Sequence, residues 1–189
     1  MINELLNKYW LCETSLEEER ELRRFFASEE VPEHLLAYKA WFCGHEFYVD
    51  ERVLVPRSPI GELIGKRFAP WLNHEPTRVM DLCTGSGCIA IALAQAFPEA
   101  EVDAIDISPD ALDVTQINIE MYGLEQQVVP MASDLMEALP AGLTYDLIVS
   151  NPPYIKTSVI SGLKEEVRLH DPLLALDGKE DGLFFYRKI

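Results

Sequence analysis

The residues Asn151-Pro152-Pro153-Tyr154 follow directly on the short apolar run Tyr145–Ser150, and their types combine into a cluster of hydrogen-bond acceptors beside an aromatic face. Neither proline has an N–H to give, and a residue that precedes proline is driven to extended backbone, so Asn151 and Pro152 are both extended. The Asn151 side-chain carbonyl and the Pro152 main-chain carbonyl can then accept from a planar NH2 group, with Tyr154 flat against its plane. A plain Pro-rich turn after a strand uses the same residues, so these four do not decide the matter alone. The decisive companion lies upstream. Asp81-Leu82-Cys83-Thr84-Gly85-Ser86-Gly87 joins an apolar run to a helical one, and its glycines let the backbone turn tightly and come close to a ligand. Asp106, 19 residues beyond Gly87, ends the next apolar run, where a carboxylate can accept from both hydroxyls of a ribose. Ser133-Asp134-Leu135 then supplies a carboxylate and an apolar side chain at the end of a third run, where an adenine would lie.

Two ligand classes share such a loop. Gly85-Ser86-Gly87-Cys88-Ile89-Ala90 fits the G-x-G-x-x-A pattern of dinucleotide sites. Asp81, four residues before the first glycine, would repel a pyrophosphate, whereas it suits S-adenosylmethionine, which has an ammonium group and no phosphate. Asn151–Tyr154 has no task in hydride transfer, which favours the methyl donor over the nicotinamide.

The elements that must hold these residues follow from periodicity. After Pro76 the chain alternates regularly: strand Val79–Leu82, helix Cys88–Phe97, strand Glu101–Ile105, helix Asp110–Tyr122, strand Val128–Ala132 and strand Tyr145–Ser150. That alternation predicts a parallel, doubly wound α/β sheet. Before it, Ile2, Leu5, Leu6, Tyr9 and Trp10 form one amphipathic stripe, and Ser15-Leu16-Glu17-Glu18 is a capping box for a second helix carrying Leu22, Phe25 and Phe26 up to Val31-Pro32. A hairpin of Phe47–Val49 against Val53–Val55 is expected around Asp50-Glu51-Arg52, then a helix capped by Ser58, with Pro59 first, running through Phe68. The expected divisions are a helical segment over 1–38, a β-hairpin connector over 39–56 and the ligand-binding domain over 57–189. Residues 181–189 read as the start of a helix.

With 16 Lys and Arg against 32 Asp and Glu, the net charge is −16, which repels a phosphate backbone and steers a basic protein inward; bare nucleic acid is a poor partner. No apolar run approaches membrane-spanning length, and Met1-Ile2-Asn3-Glu4 starts no signal peptide, so a cytoplasmic protein off the membrane is expected. Cys12, Cys43, Cys83 and Cys88 form no C-x-x-C pair, and His34, His45, His74 and His170 are scattered, so no metal site is expected.

Together, Asp81-x-x-x-Gly85-x-Gly87, Asp106, Ser133-Asp134 and Asn151-Pro152-Pro153-Tyr154 resemble class I methyltransferases acting on exocyclic or amide nitrogens. The stretch Lys39–Val49 through Val53–Ile60 looks like the PrmB type of bacterial protein-glutamine N(5)-methyltransferase, whose substrate is a large-subunit ribosomal protein and whose sister family, HemK/PrmC, modifies release factors. The resemblance covers residues 39–189. It implies a Rossmann-like fold with S-adenosylmethionine as cofactor. Cys83, Thr84, Gly85, Ser86 and Gly87 would contact its methionine part, Asp81 would be among the cofactor-binding residues, Asp106 would bind the ribose, and Asp134 and Leu135 would border the adenine. Asn151, Pro152, Pro153 and Tyr154 would hold the glutamine amide, with Asn151 also bordering the cofactor and Asn151, Pro152 and Tyr154 serving transfer itself. The family carries a larger helical domain where residues 1–38 stand, and it continues for three more strands, so the sheet is expected to lack its last strands and to leave the fourth strand at an edge. The competing readings are an inactive cofactor-binding fragment, a release-factor glutamine methyltransferase and, disfavoured by charge, an adenine-specific nucleic-acid methyltransferase.

Overall fold

A computed structural model describes residues 2–10, 14–28, 31–32, 46–55 and 59–189. The chain divides into two compact units, Met1–Glu46 with Arg57–Asn73, and Phe47–Pro56 with His74–Ile189. The expected 39–56 connector is thus divided between the units after residue 46, and residues 57–73 of the expected 57–189 domain fall in the first unit.

In the first unit, α1 (Ile2–Trp10) and α2 (Leu16–Ala27) pack through Leu5, Leu6 and Tyr9 against Leu22 and Phe26. The capping box forms: the Glu18 N–H donates to Ser15 Oγ at 3.3 Å and the Ser15 N–H to Glu18 Oε2 at 2.8 Å. The helix ends at Ala27, short of the Val31-Pro32 step. A third helix, α3 (Ile60–Gly65), stops before Phe68, earlier than its apolar pattern predicts. The cause is a C-terminal turn in which Arg67 and Phe68 take φ of 51° and 55° while their N–H groups return to Ile64 O and Leu63 O, each at 2.8 Å. Ser58, its expected cap, lies outside the described residues, as do Cys12, Cys43, His34, His45 and the 39–45 part of the family stretch.

The second unit holds a four-stranded parallel sheet in the order β3-β2-β1-β4, with β1 Arg78–Leu82, β2 Glu101–Asp106, β3 Val128–Ala132 and β4 Leu147–Ser150. Between β1 and β2 runs α4 (Cys88–Ala96), buried from Cys88 to Ala94, and between β2 and β3 runs α5 (Pro109–Tyr122), started by the Ser108 cap and stopped by Gly123 at φ 63°. Each strand–helix–strand step is parallel, as the alternation requires. Pro130 sits in β3, which among the described residues is an edge strand, where its missing N–H disturbs no second ladder. Among the described residues β4 pairs with β1 alone and forms the other edge. After it come the short helices α6 (Thr157–Ile160), α7 (Glu165–His170), α8 (Leu173–Leu176) and α9 (Phe184–Lys188). No described helix is long and apolar enough to cross a membrane.

No strand ladder forms between Phe47–Val49 and Val53–Val55, so the expected hairpin is replaced by a turned arm. Asp50 closes the turn, its carbonyl accepting the Val53 N–H at 3.2 Å and its carboxylate the Arg52 N–H at 3.1 Å. The backbone of Tyr48 is instead taken up by Asn118 of α5, and Val53 is buried with Ala111 and Val114.

At the amino end of the sheet Asp103, 1% exposed, accepts Arg78 Nε at 2.9 Å and the Tyr145 hydroxyl at 2.6 Å. Asp103→Ala leaves the half-buried Arg78 guanidinium with the exposed Glu101 as its ion-pair partner and removes the acceptor of the Tyr145 phenol. A loss of about 2–4 kcal/mol in urea unfolding is expected, with the slope of the transition unchanged.

Candidate active site

A parallel sheet ends all its strands on one side, so the four loops that leave it there are neighbours by construction. The register makes the adjacency specific: Leu82 stands opposite Ile105 and Ser150, and Asp106 opposite Ala132. The glycine loop, Asp106, Ser133–Leu135 and Asn151–Tyr154 therefore leave the sheet side by side. Every residue expected to form the site lies on this one edge.

The loop after β1 is held open by its backbone. Cys83, Gly85 and Gly87 take φ of 65°, 57° and 78°. A Cβ on Gly87 would stand 2.9 Å from Thr115 Cγ2, whereas one on Gly85 would meet nothing within 4 Å. The loop thus packs against α5 below and presents bare backbone above, the form a cofactor cradle needs. Asp106 links two walls of the cradle, accepting the Gly85 N–H at 2.9 Å and the Ser108 N–H at 3.0 Å through different oxygens. The carboxylate keeps lone-pair capacity for a ligand hydroxyl. Burial raises the Asp106 carboxyl above its usual range, opposed by the bonds from Ser108 and Gly85.

Asp81 works from beneath. Gly87 has no side chain with which to cap α4, and Asp81 Oδ2 does so instead, accepting the Ala90 N–H at 3.0 Å and the Thr84 hydroxyl at 2.6 Å. Its other oxygen is buried, with no hydrogen-bond partner among the described residues. Burial pushes the carboxyl up to about 7, with the bonds from Thr84 and Ala90 opposing and the charge of Asp106 adding. Since the unfolded acid ionises near pH ~3.9, the folded state holds a proton the unfolded one has released as pH rises from there toward about 7. Stability contributed by Asp81 is full below that window, falls through it and is level above it. The melting temperature of the parent minus that of Asp81→Asn is expected to decline between those limits, and a flat difference would remove the buried acid from the account.

The thiols of Cys83 and Cys88 are both pushed up to about 12, chiefly by burial, and neither is a nucleophile at neutral pH. Leu135, at φ 50°, is 7% exposed and clusters with Met80, Leu82 and Ile105 at the floor of the third loop. Asp134 beside it is half-buried. Ser133 ties this loop to its neighbour, its N–H reaching Asp106 O at 2.9 Å.

At the fourth strand end the Ser150 hydroxyl donates to Leu82 O at 2.7 Å, fastening the exit of β4 to the entrance of the glycine loop. Pro152 and Pro153 are buried, Asn151 is half-buried, and Tyr154 is 56% exposed. Among the described residues no hydrogen bond occupies the Asn151 side chain. The turn therefore offers an unengaged amide group beside two rigid prolines and an open ring.

Two supports are not evident in the motifs. From α5 the Thr115 hydroxyl donates to Gly85 O at 2.8 Å and the Asn118 amide to Ser86 O at 2.8 Å. Asn118, fully buried, also accepts the Tyr48 N–H at 2.7 Å and donates to Tyr48 O at 2.9 Å, so it joins the loop to the arm. The signal was two polar residues on the buried face of α5. Downstream, Asp177-Gly178 and Asp181-Gly182 bracket a turn that packs on Tyr154, signalled only by the repeated Asp-Gly pair.

Residues 66–166 match the methyltransferase small domain, and residues 3–52 match the anti-sigma factor N-terminal domain. The chain is 48% identical over 164 residues to the ribosomal protein uL3 glutamine methyltransferase of Bordetella pertussis and 49% identical over 165 residues to that of Neisseria gonorrhoeae. Each match takes in 86% of this chain and 54% of the relative, so the chain spans about half the length of these curated relatives. Among solved structures, the hMettl16 catalytic domain in complex with a MAT2A 3'UTR hairpin superposes with a TM-score of 0.61 at 17% identity, covering 82% of this chain and 59% of that one. That likeness concerns the fold, which with the parallel sheet is Rossmann-like, and the family match over residues 66–166 makes it a methyltransferase domain.

Proposed function

Because the chain belongs to the methyltransferase small domain family, we propose that it transfers a methyl group from S-adenosylmethionine to the side-chain amide nitrogen of a glutamine in a basic protein of the large ribosomal subunit. The observation that carries this reading is the unengaged Asn151 amide beside buried Pro152-Pro153, one strand from a cradle of bare loop backbone. The names of the two relatives support the substrate class. The cradle fits the cofactor: space above Gly85, Asp106 with lone-pair capacity to spare, and beneath the loop the buried Asp81 carboxyl, whose charged form an ammonium group above it would favour.

When bound, S-adenosylmethionine supplies an electrophilic methyl group on a positively charged sulfur. The rest of the task falls to residues of this chain. An amide nitrogen shares its lone pair with its carbonyl and is a poor nucleophile, so orientation must supply much of the rate. The Asn151 side-chain carbonyl and the Pro152 carbonyl would each accept one N–H of the glutamine NH2, turning the nitrogen face toward the cofactor. Tyr154 would cover the amide plane. Both carbonyl dipoles also stabilise the positive charge that gathers on nitrogen. The methylated amide is then a strong acid and gives its proton to water, so the scheme asks for no general base. Asp106 would hold the ribose, Leu135 and Asp134 would border the adenine, and Cys83–Gly87 would contact the methionine end.

Incubating the chain with labelled methyl donor and bacterial ribosomal proteins, followed by mass spectrometry of peptides, should locate the label on a glutamine side chain. Absence of label, or label on another residue type, would overturn the reading.

A further inference from the structure

We propose that the turn Asp177–Gly182 is a clamp that positions the Asn151–Tyr154 acceptors for transfer, with Asp177 as its positioning residue. The inference rests on the function proposed above and adds a part that lies beyond the family-matched residues 66–166.

The clamp grips the chain immediately after Tyr154. Ile155 forms a parallel bridge with Asp177: its N–H donates to Leu176 O at 3.0 Å and its carbonyl accepts the Gly178 N–H at 2.7 Å. Two residues on, the Thr157 N–H donates to Lys179 O at 3.0 Å. Asp177 locks the pairing from the side. Its Oδ1 accepts the Thr157 hydroxyl at 2.6 Å and the Lys179 N–H at 2.9 Å, and its Oδ2 takes Lys179 Nζ at 3.1 Å. The approach is close enough to demand glycine. A Cβ on Gly178 would lie 2.7 Å from both Tyr154 Cα and Tyr154 C, and a Cβ on Gly182, at φ 78°, would collide with the Tyr154 carbonyl oxygen.

The two prolines fix φ at 152 and 153 and hold Asn151 and Pro152 extended, but they act neither on ψ of Pro153 nor on the backbone of Tyr154. The upstream anchor is Ser150 on Leu82. A downstream anchor is needed to fix where the acceptors and the ring point, and in a reaction run on orientation a shift of about 1 Å costs up to ~100-fold.

The test compares Asp177→Ala, Asp177→Asn, Thr157→Val and Gly182→Ala with Gly162→Ala as control, whose Cβ meets only Val159 O at 3.5 Å. Readouts are kcat and KM for the labelled methyl transfer, calorimetric affinity for S-adenosylhomocysteine, and amide hydrogen exchange at Ile155, Gly178 and, as a measure of the folded sheet, Ala104. Asp177→Ala and Gly182→Ala should lose about 10–100-fold in kcat while nucleoside affinity stays within about two-fold and Ala104 stays protected. Asp177→Asn keeps the oxygen that accepts Thr157 and Lys179 and should recover most of the rate, with Thr157→Val falling between. Unchanged kcat in Asp177→Ala and Gly182→Ala despite lost protection at Ile155 would overturn the clamp, as would an Asp177→Asn chain as impaired as Asp177→Ala. An unsubstituted chain that transfers no methyl would overturn the proposed function, and the clamp's catalytic role with it. That failure is distinguishable, since it appears before any substitution is made.

Discussion

Asn151→Ala is expected to lower kcat for methyl transfer by about 10²–10³-fold or more, while affinity for S-adenosylhomocysteine stays within about three-fold. The asymmetry follows from where the side chain sits. Asn151 leaves β4 beside the glycine loop, yet its amide bonds to nothing among the described residues, so its deletion breaks no internal support. Pro152 and Pro153 remain buried, Ser150 remains on Leu82, and the fold is expected to melt as before. What disappears, on the proposed function, is one of the two acceptors that would orient the substrate NH2 and meet its developing charge. Steady-state kinetics with labelled donor, beside calorimetry of the nucleoside product, separates the two effects. A mutant with full kcat would remove Asn151 from transfer, and a mutant that lost cofactor affinity in step with rate would make it a cofactor contact alone.

The parts of the site that were legible in the sequence are those whose chemistry is local. A strand that runs into Pro152-Pro153 must end at Ser150, and a glycine loop between an apolar strand and a helix must turn there; the structure agrees within a residue or two. Parallel pairing then brings the four strand ends together without further information. The turned arm over 47–55 was not legible, because its residues alternate as strands do while the winning partner, Asn118, stands 70 positions away. Likewise Phe68 continues the apolar spacing of α3, but positive φ at Arg67 and Phe68 ends the helix first, a choice that periodicity does not encode. The clamp on Tyr154 shows the same limit. Two Asp-Gly pairs announce turns, but that their missing side chains make room for Tyr154 is a fact of packing alone.

Asp106→Ala is expected to weaken cofactor affinity by about 10²-fold or more, the larger part of its effect appearing in binding rather than in kcat. The carboxylate has two duties that fail together. Toward the protein it bridges the Gly85 N–H of the loop and the Ser108 N–H at the start of α5, and both donors lose their partner in a half-buried place. Toward the cofactor it would accept both ribose hydroxyls, and hydrogen bonds to a charged acceptor contribute about 1.5–3 kcal/mol each. Asp106→Asn separates the duties. Its carbonyl can still take one backbone N–H, but the amide nitrogen cannot accept from a hydroxyl, so it should restore part of the loop and little of the affinity. Calorimetry with S-adenosylhomocysteine measures the second duty and thermal melting the first. If Asp106→Ala binds the nucleoside as the parent does, the ribose lies elsewhere. If Asp106→Asn binds like the parent while Asp106→Ala does not, the loop brace, and not the hydroxyl pair, is what the carboxylate supplies.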